Sequence, residues 1–286
     1  EIKLKNREYE DAANAFSKVT FGSSYNNQAL YNRAMANLEN NKIDNAIALF
    51  QQMIDHRSKS SVTDTNKVAA QMGLARSYYQ KQEWDTAIDI YSQIPRDHFL
   101  WHDALFEQSW AMLRGARFRS ALSNFQSLHS SYYEDFYIPE SILLRGIVYL
   151  YICRYEEMEK TLGLFEKIYQ PVQSKLDEFI RNNSAPMAYF NEIEKVAKNF
   201  DTLKADPTSR KGYRVPFLIA REILRDGDFK HAYSYIKRLR NEEQLVNRMG
   251  DGWKRSPAGI YARKLIQDRV AVAVGQAGAI AKAHMT

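Results

Sequence analysis

The sequence is poor in the residues that cross-link or break a chain. A single cysteine, Cys153, excludes an internal disulfide framework and any zinc site built from paired cysteines. Only 12 glycines and 7 prolines occur among 286 residues, which favours a chain that is helical throughout. Cys153 ends a predicted helix, and we expect its thiol to be packed, with a reactive thiol as the alternative. One thiol does not identify the compartment, because cytoplasmic and periplasmic proteins both contain single cysteines.

Long apolar runs and phosphate-binding signatures are also missing. No stretch reaches the roughly 18 apolar residues that a transmembrane helix needs, so no such helix is predicted in this chain. Neither GxxxxGK[ST] nor GxGxxG occurs. His98 and His102 have the spacing of two helical metal ligands, but Pro95 places His98 in a turn and no third ligand is evident. We therefore expect no metal, no cofactor and no enzymatic activity.

One pattern recurs along the chain. An aromatic residue or Ile is followed three places later by a small residue, and an apolar residue comes four places after that. The segments are REYEDAANAFSKV (7–19), NKIDNAIALFQQM (41–53), QEWDTAIDIYSQIP (82–95), ARFRSALSNFQSL (116–128), CRYEEMEKTLGLF (153–165) and the fainter GDFKHAYSYIKRL (227–239). The small positions are Ala12, Ala46, Ala87, Ala121, Met158 (the one large exception) and Ala232. The first five are 34, 41, 34 and 37 residues apart, and a polar insertion at 56–66 accounts for the longest interval.

A second small residue lies twelve positions before each of the last five markers. These residues are Ala34, Ala75, Ser109, Gly146 and Ala220. The distance between two packed helices depends on the side chains at their contact, so small residues on both helices allow a close approach. The pattern therefore predicts pairs of helices that pack through these positions.

A helix pair repeated about every 34 residues resembles the tetratricopeptide repeat. The resemblance implies an all-α fold, a right-handed α-solenoid of antiparallel helix pairs with an irregular helical C-terminal part. Because the partner of the first repeated helix would begin before Glu1, with only EIKLK remaining, we expect a trimmed chain. The predicted parts are a solenoid of about five units, the first truncated, at 1–169, an inserted helical pair and loop at 170–212, a degenerate unit at 213–240, and capping helices at 241–286.

The resemblance also implies a concave groove lined by the first helix of each unit. Aromatic, Met and Arg side chains in such a groove are the types that dominate protein-binding hot spots. We expect a protein partner, either a helix or an extended apolar segment, with Trp110 at the centre, although some of these residues pack between repeats instead. The predicted groove residues are Tyr31, Met35, Leu38, Met72, Arg76, Tyr79, Phe106, Trp110, Arg114, Leu143, Ile147, Tyr151, Phe217, Arg221 and Arg225.

Two other ligands of helical repeats do not fit this groove. Tetratricopeptide co-chaperones hold a C-terminal carboxylate with Lys and Asn, and here Asn32 matches one such place. Ala69 and Gly73, however, occupy two places that are basic in those proteins. Repeats that read RNA use polar code residues, one base per unit, so an apolar groove argues against nucleic acid.

Charge is distributed unevenly. Residues 201–286 contain 17 Lys/Arg and 9 Asp/Glu, whereas the rest of the chain is slightly acidic. The basic end can attract an acidic partner, nucleic acid or an anionic membrane surface, or it is simply a solvated face. A last helix is predicted from about 257 to 283, with a narrow stripe of Ile266, Val270, Ala273, Ala277 and Ile280. We expect this helix to cap the solenoid, or else to dock onto a partner or a second copy.

A narrower resemblance covers residues 99–158. The W-x-x-x-L-x-E-x-x-W helix, the L-H-S-x-Y-Y before F-Y-x-P-E, and the C-R-Y-E-E turn are similar to tetratricopeptide proteins associated with gliding motility in myxobacteria and predatory bacteria. That resemblance implies a scaffold in a motility complex, located in the periplasm or at the outer membrane. The alternatives are a regulator of a cell-wall enzyme or an outer-membrane assembly factor, and a cytoplasmic location stays open. An upstream lipobox or signal peptide would distinguish envelope from cytoplasm.

Overall fold

The structure is a computed structural model, and it describes residues 1–20, 22–56, 65–130 and 139–286. All regular elements in these ranges are helical. The chain divides into two compact units, Glu1–Phe165 (unit 1) and Glu166–Thr286 (unit 2), and each is described by itself. Most of the predicted polar insertion at 56–66 and of the turn YYEDFYIPES lies outside the described residues.

Unit 1 is a series of helix pairs joined by short turns. Each helix from α1 to α8 packs on the next one along the chain, which confirms the predicted all-α solenoid. The pairs are α1 (Ile2–Lys5) with α2 (Tyr9–Ser17), α3 (Asn26–Glu39) with α4 (Ile43–His56), α5 (Thr65–Gln80) with α6 (Trp84–Ser92), α7 (Trp101–Arg114) with α8 (Phe118–Leu128), and α9 (Pro139–Tyr151) with the start of α10 (Tyr155–Asn182).

The same turn joins the two helices of all five pairs. At the third turn, the N–H of Gln82 donates to the carbonyl of Tyr79, and the N–H of Glu83 donates to the carbonyl of Tyr78. This is the Schellman arrangement, and the other four turns repeat both bonds. The left-handed residues of these turns have φ between 55° and 64° and are Arg7, Asn41, Gln82, Ala116 and Cys153. Their spacing is that of the small residues, so the turns establish the repeat phase independently.

Cys153 is the left-handed residue of the fifth turn. Because it lies at the tip between two helices, its thiol is exposed. The expectation that this thiol is packed is therefore wrong. A hydrogen bond with Cys153 raises the pKa of the neighbouring Tyr155 hydroxyl.

The predicted small residues lie in the core of unit 1. Ala34, Ala75 and Ser109 on first helices, and Ala46, Ala87 and Ala121 on second helices, are fully buried. The hydroxyl of Ser109 donates to the carbonyl of Leu105 at 2.7 Å, so this buried polar group is satisfied. A Cβ on Gly73 would overlap the ring of Phe50 on the preceding helix, so a large ring on α4 fills the space that a glycine on α5 leaves.

Unit 2 is built differently, because its main contacts join helices that are far apart in the sequence. The longest helix, α16, packs along both α11 and α14. A Cβ on Gly278 would overlap the backbone of Pro186, so α16 and the start of α11 meet almost directly. After α10 the elements are α11 (Pro186–Lys198), α12 (Phe200–Ala205), a 3-10 turn (Pro207–Gly212), α13 (Phe217–Arg225), α14 (Gly227–Asn247), α15 (Asp251–Arg255) and α16 (Pro257–Met285).

Two details of unit 2 differ from the pattern that the sequence predicts. The sequence predicts a separate helix at 172–182, but α10 continues through Pro171 without a break, so the predicted boundary at 169 falls inside a helix. The faint sixth segment is a helix pair, α13 with α14, but its turn is of another kind. Asp226 there is extended rather than left-handed, and its carboxylate caps α14 by accepting from the N–H of Phe229 at 2.7 Å.

The small-residue stripe of the last helix belongs to the core of unit 2. Ala273 and Ala277 are buried, and Val270 and Ile280 pack against the same cluster. Small side chains on this stripe allow α16 to lie close to α11 and α14. From Val270 to Ile280 the stripe is therefore covered by the core of unit 2.

Candidate protein-binding site

The predicted groove residues on the first helices of unit 1 differ in exposure. Arg114, Leu143, Ile147 and Tyr151 are exposed, and 36% of Trp110 is accessible; a further set is partly buried, namely Tyr31, Met35, Arg76, Tyr79 and Phe106. Leu38 and Met72 lie in the core instead. Because α5 packs against α3, α4 and α6, the face that carries Met72 is covered, and Met72 cannot contact a partner.

A pocket of about 330 Å³ lies between the first helices of the third and fourth pairs. Its lining comes from three elements: α5 contributes two residues, α6 one and α7 two. The lining residues are Arg76, Tyr79, Tyr91, Glu107 and Trp110. Three predicted groove residues therefore meet at one pocket, and Trp110 is among them.

A charged hydrogen-bond network holds the polar side of this pocket. Arg76 donates from Nε to Oε2 of Glu107 at 2.8 Å and from Nη2 to Oε1 at 2.6 Å. The hydroxyl of Tyr91 donates to the same Oε2 at 2.8 Å. Bidentate pairing is the most specific geometry between guanidinium and carboxylate, and here a third donor completes it. The arginine is thus held in one orientation at the pocket wall.

The same network shifts the ionisation of its members. The hydrogen bonds that Arg76 donates to Glu107 raise the pKa of Arg76, so its guanidinium stays charged at every accessible pH. Burial raises the pKa of Tyr91, and the adjacent Glu107 carboxylate raises it further, so Tyr91 remains a neutral donor. The pocket therefore keeps the same charge and donor pattern across the physiological range.

Aromatic contacts fix the apolar side of the pocket. Tyr79 meets Trp84 edge to face, with 5.0 Å between ring centroids. The guanidinium of Arg114 lies 5.5 Å from the centroid of the same Trp84 ring. Both residues thus brace the turn before α6, and the geometry is typical of edge-to-face and cation–π pairs.

The remaining groove residues lie outside this pocket. Tyr151 on α9 stacks on Phe118, with 5.7 Å between ring centroids. Arg221 and Arg225 belong to unit 2, where Arg221 is buried and both contact Glu222, at 3.0 and 3.6 Å. These two arginines therefore belong to the helices of unit 2 and not to those of unit 1.

Glu107 and Tyr91 are pocket residues that the sequence reasoning missed. A signal for Glu107 was present, because it follows Arg76 by 31 residues, one repeat length less about one helical turn. That interval brings the carboxylate of Glu107 on α7 beside Arg76 on α5, the first helix of the preceding pair. Tyr91 comes from a second helix, whereas the resemblance implies a groove lined by first helices only.

Other kinds of site find little support in the described ranges. Among those residues, no group of three or more His, Cys, Asp or Glu is arranged to hold a metal ion. His98 is buried, which lowers its pKa, and its Nδ1 accepts from the N–H of Leu100 at 3.2 Å, a structural role in the turn. No described helix is both long enough and apolar enough to cross a membrane.

Two family models of the tetratricopeptide repeat match the chain, one at residues 2–61 and one at 37–105. Residues 2–105 therefore consist of tetratricopeptide repeats, and the later pairs of unit 1 continue with the same turn. Repeats of this kind bind protein partners, and proteins built from them are generally non-catalytic scaffolds.

Solved structures of repeat proteins are similar to part of the chain. One is a variant of a Podosopora anserina protein of the kinesin light chain type with nearly identical TPR-like repeats, at 14% identity, 60% coverage of this chain, 92% of that chain and a TM-score of 0.49. Another is MamA from AMB-1, with 15% sequence identity, 59% coverage of this chain, 94% coverage of that chain and a TM-score of 0.45. No curated protein matches the chain significantly. The family models and the recurring turn identify the repeats, and the similar structures add nothing to that identification. The narrower resemblance to gliding-motility proteins stays a prediction.

Proposed function

We propose that this protein is a non-enzymatic scaffold that binds a partner protein in the pocket between α5 and α7. The observation that carries the proposal is the fixed guanidinium of Arg76, held by Glu107 and Tyr91 beside the half-exposed Trp110. Arginine and tryptophan are the residue types most enriched in binding hot spots. Their fixed orientation reduces the ordering cost of association.

The pocket suits an apolar side chain from a helix or an extended segment. Its volume of about 330 Å³ accommodates one or two side chains, and Tyr79 and Trp110 provide apolar wall area. Arg76 uses two of its five N–H groups for Glu107, so others remain to donate to a carbonyl of the partner. The pocket therefore favours an apolar anchor with a neighbouring acceptor.

Site-specific photo-crosslinking tests this proposal and identifies the partner in the same experiment. A benzophenone amino acid is introduced in place of Trp110 in the full chain, in its native cells, and in parallel in place of Phe99. Phe99 is a matched control, because it is an exposed aromatic residue that does not line the pocket. We expect a discrete protein adduct at position 110 and none at 99, with the partner identified by mass spectrometry.

The identified partner then permits a binding measurement. Trp110→Ala should weaken binding at least tenfold, because a buried indole at a hot spot contributes about 2 kcal/mol. Phe99→Ala should leave binding unchanged, and both variants should keep the wild-type melting curve. If Trp110→Ala instead unfolds the repeats, Trp110 packs the array; if it melts normally and binds normally, the site lies elsewhere.

We also propose that the scaffold works in a bacterial envelope assembly, such as a motility complex. The support is the sequence resemblance over residues 99–158. Fractionation of cells that express the tagged full-length protein tests this, and recovery only in the cytoplasm would exclude it. The crosslinked partner distinguishes a motility component from a cell-wall enzyme or an outer-membrane assembly protein.

A further inference from the structure

An exposed apolar and basic surface lies in unit 2, at the corner formed by residues 248–264. This corner contains the residues after α14, all of α15 and the start of α16. Four large apolar side chains are exposed there, with 68% of Tyr261 and 54% of Ile260 accessible, together with Met249 and Trp253. So many exposed apolar side chains within 17 residues indicate an interaction site rather than scattered surface residues.

The corner is held in shape by contacts that leave these side chains exposed. A Cβ on Gly259 would overlap the backbone of Trp253, so α15 lies directly on the start of α16. The Nη2 of Arg263 donates to the carbonyl of Lys254 at 2.7 Å. Ser256 accepts from the N–H of Gly259 at 3.1 Å and donates to the carbonyl of Trp253 at 2.6 Å. The surface is thus a defined feature of the fold, because backbone contacts and a cap fix its two helices.

The same corner is strongly basic. It contains five Lys or Arg residues and one acidic residue, Asp251, which pairs with Lys254 at 3.3 Å. Within the part of the chain that the structure describes, Arg248, Arg255 and Lys264 make no ion pair. Unit 2 as a whole has 22 Lys/Arg against 14 Asp/Glu, whereas unit 1 has 18 against 20. The unneutralised positive charge and the exposed apolar side chains therefore belong to the same segment of 17 residues.

We propose that the corner at 248–264 binds the surface of an anionic lipid bilayer. Aliphatic side chains such as Ile260 and Met249 can enter the boundary between headgroups and acyl chains. Trp and Tyr prefer the headgroup level, and each Lys or Arg near an anionic surface strengthens binding about fivefold. This inference does not depend on the pocket of unit 1.

The composition favours a lipid surface over nucleic acid. A phosphate backbone would attract the cations but would not bury Ile260 or Met249, because nucleic-acid binding relies on phosphate contacts and on stacking with planar rings. An acidic protein would likewise bind mainly to the Lys and Arg side chains of the corner. Only a bilayer offers both an anionic layer and an apolar layer directly beneath it.

Vesicle co-sedimentation of the full chain tests the proposal. Two probes are used, phosphatidylcholine vesicles and vesicles with about one third phosphatidylglycerol, and binding is expected only to the second. Arg255→Gln with Lys264→Gln should weaken that binding about 25-fold, because two charges are lost at about fivefold each. Ile260→Ser with Tyr261→Ser should weaken it about tenfold, because the apolar insertion is lost. The matched control is Lys204→Gln with Lys230→Gln, which removes two exposed charges of unit 2 outside the corner and should change binding by no more than about twofold.

Each alternative result would overturn the proposal. No vesicle binding, or equal binding to both vesicle types, excludes an anionic lipid surface. If the control variant at Lys204 and Lys230 loses as much vesicle binding as the variant at Arg255 and Lys264, then net charge, and not the corner, attracts the lipid. An unchanged affinity of the Ile260 and Tyr261 variant would mean that nothing inserts. Tighter binding to duplex DNA or to polyglutamate at the same salt concentration would assign the surface to nucleic acid or to an acidic protein. Circular dichroism verifies that every variant is folded.

Discussion

Unit 1 and unit 2 are both helical, yet they are stabilised by different kinds of contact. In unit 1 each helix packs on its neighbour in sequence, and identical turns and small residues recur from pair to pair. In unit 2 the decisive contacts join α16 to α11, helices that begin about 70 residues apart. A regular repeat therefore defines unit 1 locally, whereas unit 2 depends on the return of its last helix.

The polar interiors differ in the same way. Unit 2 buries two carboxylates on α11, and Glu192 accepts bonds from Lys195 at 2.6 Å and Arg214 at 2.9 Å. Glu194 pairs with Arg240 of α14. Buried charges need partners, so Glu194 favours a packing that brings Arg240 of α14 to α11. In unit 1 the principal charged network lies at the pocket instead, where a partner can use it.

The largest predicted effect on stability comes from Gly278 of α16, and Gly275 of the same helix is its control. Gly278→Ala should destabilise unit 2 by about 3 kcal/mol, because its Cβ would overlap the backbone of Pro186. Gly275→Ala, three residues away in open space, should stabilise the helix by about 0.5–1 kcal/mol. Urea denaturation gives both values, and hydrogen exchange should show faster exchange in α11, α14 and α16. Equal effects of the two substitutions would contradict the close helix contact.

A smaller effect is expected from overpacking unit 1. Ala121→Leu should cost about 1–3 kcal/mol, because Ala121 is fully buried in the second helix of the fourth pair. Ser123→Leu, on an exposed position of the same helix, is the control and should cost less than about 0.5 kcal/mol. Thermal melts of both variants compare them. An unchanged melt for Ala121→Leu would show that the repeat phase is wrong here.

Glu192 should make the stability of unit 2 depend on pH. Burial alone would raise the pKa of Glu192, but the bonds from Lys195 and Arg214 outweigh it and lower the pKa below its usual 4.5. A lowered pKa in the folded state stabilises the protein above pH 4.5, and this contribution is lost as the pH falls through the folded value.

Glu192→Gln therefore tests this contribution. The substitution should cost about 1 kcal/mol at pH 7, since both cations are largely exposed and screened. Near pH 3 the cost should shrink. Glu242→Gln, at an exposed position of α14, provides the reference denaturation curve. A cost that is independent of pH would argue against the ionic role.

The smallest predicted effect concerns the recurring turn. Ala116 has a φ of 55°, which is strained for a residue with a Cβ, so Ala116→Gly should stabilise unit 1 by about 0.5–1 kcal/mol. The same substitution at Ala48, an exposed helical position, should destabilise it by about 1 kcal/mol. A higher melting temperature for Ala116→Gly and a lower one for Ala48→Gly would support the turn geometry. A lower melting temperature for both variants would refute it.

Contacts between helices that are neighbours in the sequence can be predicted from the sequence, whereas contacts between distant helices cannot. In unit 1, the periodicity predicts Ala75 and Ser109 at helix contacts, and both are fully buried, because every helix pair has the same local packing. In unit 2, the stripe around Ala273 predicts a helix that caps the solenoid, or else docks onto a partner or a second copy, and the structure packs this stripe into the core of unit 2. Its covering helices, α11 and α14, lie far away in the sequence, and periodicity alone does not show which helix a stripe meets.

The sequence by itself determined the all-helical class, the repeat phase of unit 1 and the basic character of unit 2, since periodicity and composition are properties of the chain alone. Only the tertiary structure decided that Met72 is buried while Trp110 is exposed, because neighbouring helices determine which face of a first helix stays open. It also decided that Tyr91 and Glu107 hold Arg76 at the pocket. Those three side chains come from three helices, and only packing brings their polar atoms within hydrogen-bond distance.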